Sequence, residues 1–213
     1  ALPENLTLSY LPVGTRVKLR LTATGENENF LEQQLEDEIQ KLLPLIKGHV
    51  IATSGDKIEK ILGEILSERK LTVSTAESCT GGELARMLTS NPGSSSYFIG
   101  GIVPYATEKK IDILKVRKET IDEFTVVSEQ VATEMAEGCQ RLFDADIALS
   151  TTGVAGPGKG EDGNDVGTVF YSIRVKDQAV TSKLYMPHLD RADFMYFVSQ
   201  KILQDLVSIL ITH

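Results

Sequence analysis

Histidine is scarce in this chain. His49, His188 and His213 are the three present, and no two of them stand at metal-ligand spacing. No metal site is therefore expected. A Ser-His-Asp triad would have to rest on one isolated imidazole, so an acyl-transfer enzyme built from this sequence should use another base. Cysteine is as rare. Cys79 and Cys139 are too few for a disulfide framework and read as free thiols, which points to a reducing cytoplasm. No long basic run is present, and the formal net charge of −8 argues against a nucleic-acid partner, whose phosphates need neutralising. No apolar run reaches the roughly 18 residues a membrane helix requires, so no membrane partner is expected. The opening ALPENLTLSY has neither the basic region nor the apolar stretch of a signal peptide. The first residue is not Met, so the expectation is a piece of a longer protein.

What is present suffices for one medium domain with a small appendage: 213 residues, 41% of them hydrophobic. The appendage is expected over residues 1–55 as a small α+β unit. In RVKLRLTAT (16–24), Val17, Leu19, Leu21 and Ala23 alternate with polar residues, the period of a half-buried strand. GENEN makes a polar turn. Phe30, Leu31, Leu35, Ile39, Leu42 and Leu43 follow at helical spacing, and HVIA (49–52) is a short strand candidate.

The main domain is expected over 56–213. Ile58, Ile61, Leu62, Ile65 and Leu66 mark an amphipathic helix, with Ser54 or Asp56 as its N-cap. Strand and helix patterns then alternate. LTVSTA (71–76) and DIALSTTG read as buried strands, and YFIGGIVPY as mostly extended. Gly82 to Thr89, Thr107 to Leu114, a longer segment capped by Ser128, and Asp190 to Ile211 read as helices. TVFYSIRV and QAVTSKLYM form a hairpin turned at Lys176-Asp177. This alternation implies an α/β class fold, a three-layer α/β/α domain with a mostly parallel sheet.

Chemistry can sit at five places. Ala76-Glu-Ser-Cys-Thr-Gly-Gly82 leaves a buried strand and enters a helix, where free N–H groups and a positive dipole end gather. Ser78 there is placed like a nucleophile with oxyanion donors beside it; the alternative is that Ser78 and Thr80 merely cap the helix. Asn91-Pro-Gly-Ser-Ser-Ser96 is a turn cluster whose serines ordinarily bond locally. Tyr105 and Lys110 flank a turn into a helix. A lysine at such a place is usually a solvated charge, but a desolvated one has its pKa lowered enough to accept a serine proton. Glu77 is the carboxylate alternative. Finally, TTGVAGPGKGEDGNDVGT (151–168) follows a buried strand with six glycines, and its backbone N–H groups suit a phosphate or ribose, although a plain surface loop has the same composition. Arg191, ahead of the last helix, is a phosphate partner or a helix-start ion pair.

AESCTGG, PGSS, Y-x-x-x-x-K, TTGVAGP and VGTV occur in that order. The series resembles the nicotinamide-nucleotide amidase family, the C-terminal domain of CinA proteins, over about residues 57 to 210. Segment 1–55 is similar to the small middle domain that precedes the amidase in full-length CinA; it carries no G-x-x-G clamp, so RNA binding does not follow. The resemblance implies hydrolysis of nicotinamide mononucleotide to nicotinic acid mononucleotide and ammonia, without metal or cofactor. It also implies a molybdopterin-binding-like N-terminal domain absent from this chain; a homodimer is expected separately, from the near-neutral charge and lone strand edge of segment 1–55. Carried over by position, the catalytic set is Ser78, Ser95, Tyr105 and Lys110, with Lys110 rather than Lys109 in register. The substrate-binding set is Glu77, Thr80, Gly81, Gly82, Thr152, Gly153, Gly156 and Arg191. Two departures stand out: the usual Tyr-Ser-Asn-Glu is Tyr105-Ala-Thr-Glu108, and the usual GPGGG is GPGKG with Lys159 inserted. The first departure, at 106–107, motivates the alternative of a pyridine-nucleotide-binding or regulatory module without turnover.

Overall fold

The computed structural model describes residues 2–13, 16–46, 50, 55–160 and 163–212. Two compact units divide the chain, Ala1–Asp56 and Lys57–His213. In the first, strands β1 (Leu6–Val13) and β2 (Arg16–Ala23) pair antiparallel, Leu6 opposite Ala23, as the alternation in β2 requires. Helix α1 (Glu28–Leu42) starts where Asn27 accepts from the Phe30 N–H at 3.1 Å, and a 3₁₀ turn (Leu43–Ile46) follows. No residue of α1 is buried, as befits so small a unit. Strand β1 was missed in the sequence. The strand candidate at 49–52 and the Ser54 cap lie outside the described residues, Val50 excepted.

The second unit has the expected α/β layers. Its sheet has the order β4-β3-β5-β6-β7, made of β3 (Val73–Glu77), β4 (Phe98–Ile102), β5 (Ile147–Gly153), β6 (Thr168–Val175) and β7 (Gln178–Tyr185). Strands β4, β3 and β5 are parallel; the β6–β7 hairpin, turned at Lys176-Asp177, extends the sheet antiparallel, so the whole is mixed. Helices α4 (Thr107–Leu114), α5 (Lys118–Phe124) and α6 (Glu129–Phe143) belong to one layer. The other holds α2 (Ile58–Arg69), α3 (Glu83–Thr89) and α7 (Arg191–Thr212).

Strand alternation feeds both layers. Ala76 and Ala148 pack with Leu114, Val116, Val131, Met135 and Cys139 under α6, while the neighbouring Tyr171 reaches Asp205 of α7. Helix α6 begins at Ser128, whose hydroxyl accepts from the Val131 N–H, as expected. Helix α2 instead has Lys57 at its cap position with no side-chain cap bond, so Asp56 is not the cap. Helix α5, two turns long, was missed because so short a segment shows little periodicity. Among the described residues only α7 is long and apolar enough to cross a membrane, and it packs against α2, α3 and β6.

The layout fixes where a site belongs. The chain leaves β3 through α3 on one face and returns from β4 to β5 through α4–α6 on the other. The carboxyl ends of β4, β3 and β5 therefore share one edge, the place where open α/β sheets bind ligands.

Candidate active site

At that edge lies a cleft of about 220 Å³. Ser78, Tyr105, Lys110, Thr152, Gly153, Gly156 and Arg191 line it, so seven expected residues from four separate segments converge. Ser78 follows directly on β3, and its N–H is fixed by the Thr151 carbonyl and hydroxyl of the neighbouring β5 at 3.1 and 3.2 Å. Its own hydroxyl makes no hydrogen bond among the described residues and is left to the cleft.

Lys110 is 2% exposed, on the inner face of α4. Its ammonium donates to the carbonyls of Pro104 and Tyr105, both at 3.0 Å, and among the described residues no carboxylate pairs with it. Burial strips water from the cation faster than Cys79 and Glu108 compensate, and lowers its pKa to about 8. Lys109, one position along, is exposed and paired with Asp112 at 2.9 Å. The register expected for Lys110 is the one that brings a lysine inside.

Tyr105 is used twice. Its carbonyl holds Lys110, and its 57% exposed side chain accepts a hydrogen bond from Arg191 Nη2 at 2.6 Å. Arg191 Nη1 donates to the Gly156 carbonyl at 2.7 Å. Gly156 has φ +80°, and a Cβ there would meet Val166 Cγ1 at 2.6 Å, so both the left-handed backbone and the packing require glycine.

Other expected residues do different work. Glu77 does not face the cleft. It is fully buried, and its carboxylate accepts from the N–H groups of Gly82, Leu84 and Ala85 at 2.8–3.0 Å and from the Thr80 hydroxyl at 2.8 Å. The start of α3 is thus filled by an internal anion, not open to a ligand. Thr80 is likewise buried, bonded to Glu77 and Thr151. Gly81 and Gly82 turn the chain with φ +61° and +104° and do not line the cleft. Alternation explains the exchange: one residue along the chain, Ser78 turns to the cleft where Glu77 turns to α3. Ser95 sits exposed in a 3₁₀ turn (Ser94–Ser96) just before β4, at the opposite end of the parallel strands, outside this cleft. Thr152 lines the cleft but spends its donor on the Val126 carbonyl at 2.7 Å. Lys159 pairs with Asp165 across its own loop at 3.1 Å.

Several lining residues escaped the sequence reading. Val126 and Val127, between α5 and α6, give the cleft apolar lining, as do Val154 and Ala155. The apolar pair just ahead of the Ser128 cap was the available signal. Cys79 also lines the cleft; burial pushes its thiol up to about 12, so it is no thiolate nucleophile at neutral pH. Thr107, in the departed Ala106-Thr107 pair, faces the cleft as well.

Fold and cleft together define an α/β/α domain with a serine and a buried lysine at the carboxyl ends of its parallel strands. The family model "CinA C-terminal domain" matches residues 55–210. A CinA-like protein of Flavobacterium psychrophilum is 49% identical over 173 residues, covering 81% of this chain and 41% of that protein. A CinA-like protein of Chloroherpeton thalassium is 45% identical, covering 81% and 41%. The chain thus spans about two-fifths of the length of these curated relatives. Among solved structures, a CinA superfamily protein of Klebsiella pneumoniae matches with TM-score 0.71 and 31% identity, over 73% of this chain and 97% of that one. A competence or damage-inducible protein of Enterobacter asburiae matches with TM-score 0.69 and 32% identity, over 73% and 99%. The chain belongs to the CinA family.

Proposed function

We propose that the cleft hydrolyses the carboxamide of nicotinamide mononucleotide, giving nicotinic acid mononucleotide and ammonia by covalent acyl transfer. The observation that carries this reading is Lys110: a buried amine without a carboxylate partner among the described residues, its pKa brought to about 8, lining the same cleft as a serine whose hydroxyl none of those residues engages. A neutral Lys110 takes the Ser78 proton as Ser78 Oγ attacks the carboxamide carbon. The N–H groups of Cys79 and Thr80, which follow Ser78 and which Glu77 leaves untaken, stabilise the oxyanion. The protonated Lys110 returns the proton to the leaving nitrogen, and ammonia departs. Water, deprotonated by the now neutral Lys110, then cleaves the acyl ester and restores Ser78.

The pyridine ring finds an apolar seat against Val126–Val127 and Val154–Ala155, and Arg191 with the 153–158 loop takes the 5′-phosphate. That phosphate matters because nicotinamide alone offers little binding energy to position the amide. Ammonia release from nicotinamide mononucleotide, with nicotinic acid mononucleotide formed in equal amount, tests the reading. Binding without ammonia release supports the module without turnover instead.

A further inference from the structure

Arg191 is expected to meet phosphate, yet two of its five guanidinium N–H groups are engaged by groups that line the cleft. Nη1 goes to the Gly156 carbonyl at 2.7 Å and Nη2 to the Tyr105 hydroxyl at 2.6 Å, and both acceptors line the cleft. A dianion entering there competes with both acceptors for the guanidinium. The two acceptors are unequal. Gly156 offers a backbone carbonyl on a loop packed against Val166, whose Cγ1 a Cβ there would meet at 2.6 Å. Tyr105 is an exposed side chain with a neutral hydroxyl, the weaker and more movable acceptor. The same Tyr105 supplies one of the two carbonyls that tether Lys110 Nζ. A single residue thus joins the expected phosphate contact to the expected base.

We propose that Arg191 and Tyr105 form a substrate-operated latch, in which the phosphate dianion of a phosphorylated nucleotide takes Arg191 from Tyr105 and so releases the Tyr105 hydroxyl to the Ser78–Lys110 centre. While Arg191 donates to it, that hydroxyl oxygen is drawn to the guanidinium and is a poorer acceptor for the Ser78 proton. The released hydroxyl accepts from Ser78 Oγ and donates towards Lys110, relaying the proton between them without net change. The phosphate then governs kcat as well as affinity, and the cleft discriminates nucleotides from nucleosides at the chemical step. This deepens the amidase reading and rests on it for the kinetic part only.

Inorganic phosphite is the probe. The first measurement needs no turnover: phosphite binding by calorimetry to wild type, Tyr105→Phe and Arg191→Gln. If Tyr105 competes for Arg191, removing its hydroxyl frees the guanidinium, and phosphite binds Tyr105→Phe more tightly than wild type, by about 5-fold or more. Arg191→Gln loses the binding. Equal or weaker binding to Tyr105→Phe overturns the latch, whatever the enzyme's activity. The second measurement is turnover of nicotinamide riboside by wild type with and without phosphite. Phosphite is expected to raise kcat for the riboside within the range of about 5- to 150-fold typical of coupled sites, and to have no such effect on Tyr105→Phe. A riboside that differs from the mononucleotide in KM alone, with phosphite inert or inhibitory, overturns the latch while leaving the amidase intact. Absence of ammonia from the mononucleotide itself sinks the amidase reading, and the binding comparison then decides the latch by itself.

Discussion

Replacing Lys110 tests both the chemistry and the physical reason for it. An unshifted lysine at pH 7 is neutral in about one molecule in three thousand. With its pKa lowered to about 8, roughly one in ten is neutral, a gain of about 300-fold in the competent base. The kcat/KM profile should climb about tenfold per pH unit through neutrality and level off near pH 8. Lys110→Arg keeps the charge but cannot deprotonate, and should lose activity; Lys109→Arg, exposed on the same helix, should be nearly silent. The same shift has a stability signature. The folded pKa lies below the unfolded value of 10.5, so between about pH 8 and 10.5 the unfolded chain binds the proton that the folded chain does not. Over that window the wild type should gain stability relative to Lys110→Met as pH rises, by about 1.4 kcal/mol per unit and roughly 3 kcal/mol in all. Below pH 8 the difference should be flat. Urea titrations of both proteins at pH 7, 8, 9 and 10 measure it. A difference independent of pH, or a rate profile with its midpoint near 10.5, refutes the buried-base argument.

Four further outcomes are expected. Glu77→Ala should lower the urea midpoint by an amount worth about 2–4 kcal/mol, because it strips three backbone N–H groups and the Thr80 hydroxyl of one buried acceptor; wild-type stability would show that α3 does not depend on this cap. Cys79→Ala should keep its rate, since the thiol is 3% exposed and held protonated with a pKa near 12; a dead but folded variant would make the thiol a nucleophile. Thr125→Gly should raise the melting temperature, because Thr125 sits at φ +68° and ψ 167°, a region a β-branched residue occupies at a cost of about 1–3 kcal/mol; a lower melting temperature would mean the threonine contacts outweigh the strain. Activity should survive prolonged chelation, because the scattered histidines offer no ligand set; loss restored by added metal would contradict that.

Much of this was legible because it is local. Short apolar runs marked β3 and β5, two strand-like runs about a turn marked β6 and β7, and the Ser128 cap set the start of α6. Lys110 was separable from Lys109 only by register, and helix geometry then carried one inward and left the other on the surface. What failed was direction across and along the sheet. Glu77 and Ser78 are adjacent in sequence, but β3 is buried on both faces, so its pattern does not say which neighbour looks at α3 and which at the cleft. Ser95 stands in a serine-rich turn like those of many active sites, and only the parallel run of β4 shows that this turn is at the wrong end of the strand. The Val126–Val127 lining depends on Thr152 holding a carbonyl 26 residues away, a long-range bond that no short pattern announces.

The central claim, attack by Ser78, is open to one direct measurement. Enzyme mixed with nicotinamide mononucleotide is quenched in acid within a turnover and digested, and the peptide spanning Ser78 and Cys79 is fragmented in a mass spectrometer. The expected result is the acyl mass of the nicotinic acid mononucleotide on Ser78, absent from Ser78→Ala. An adduct on Cys79 or Ser95, or steady ammonia release with no covalent adduct at any quench time, contradicts attack by Ser78.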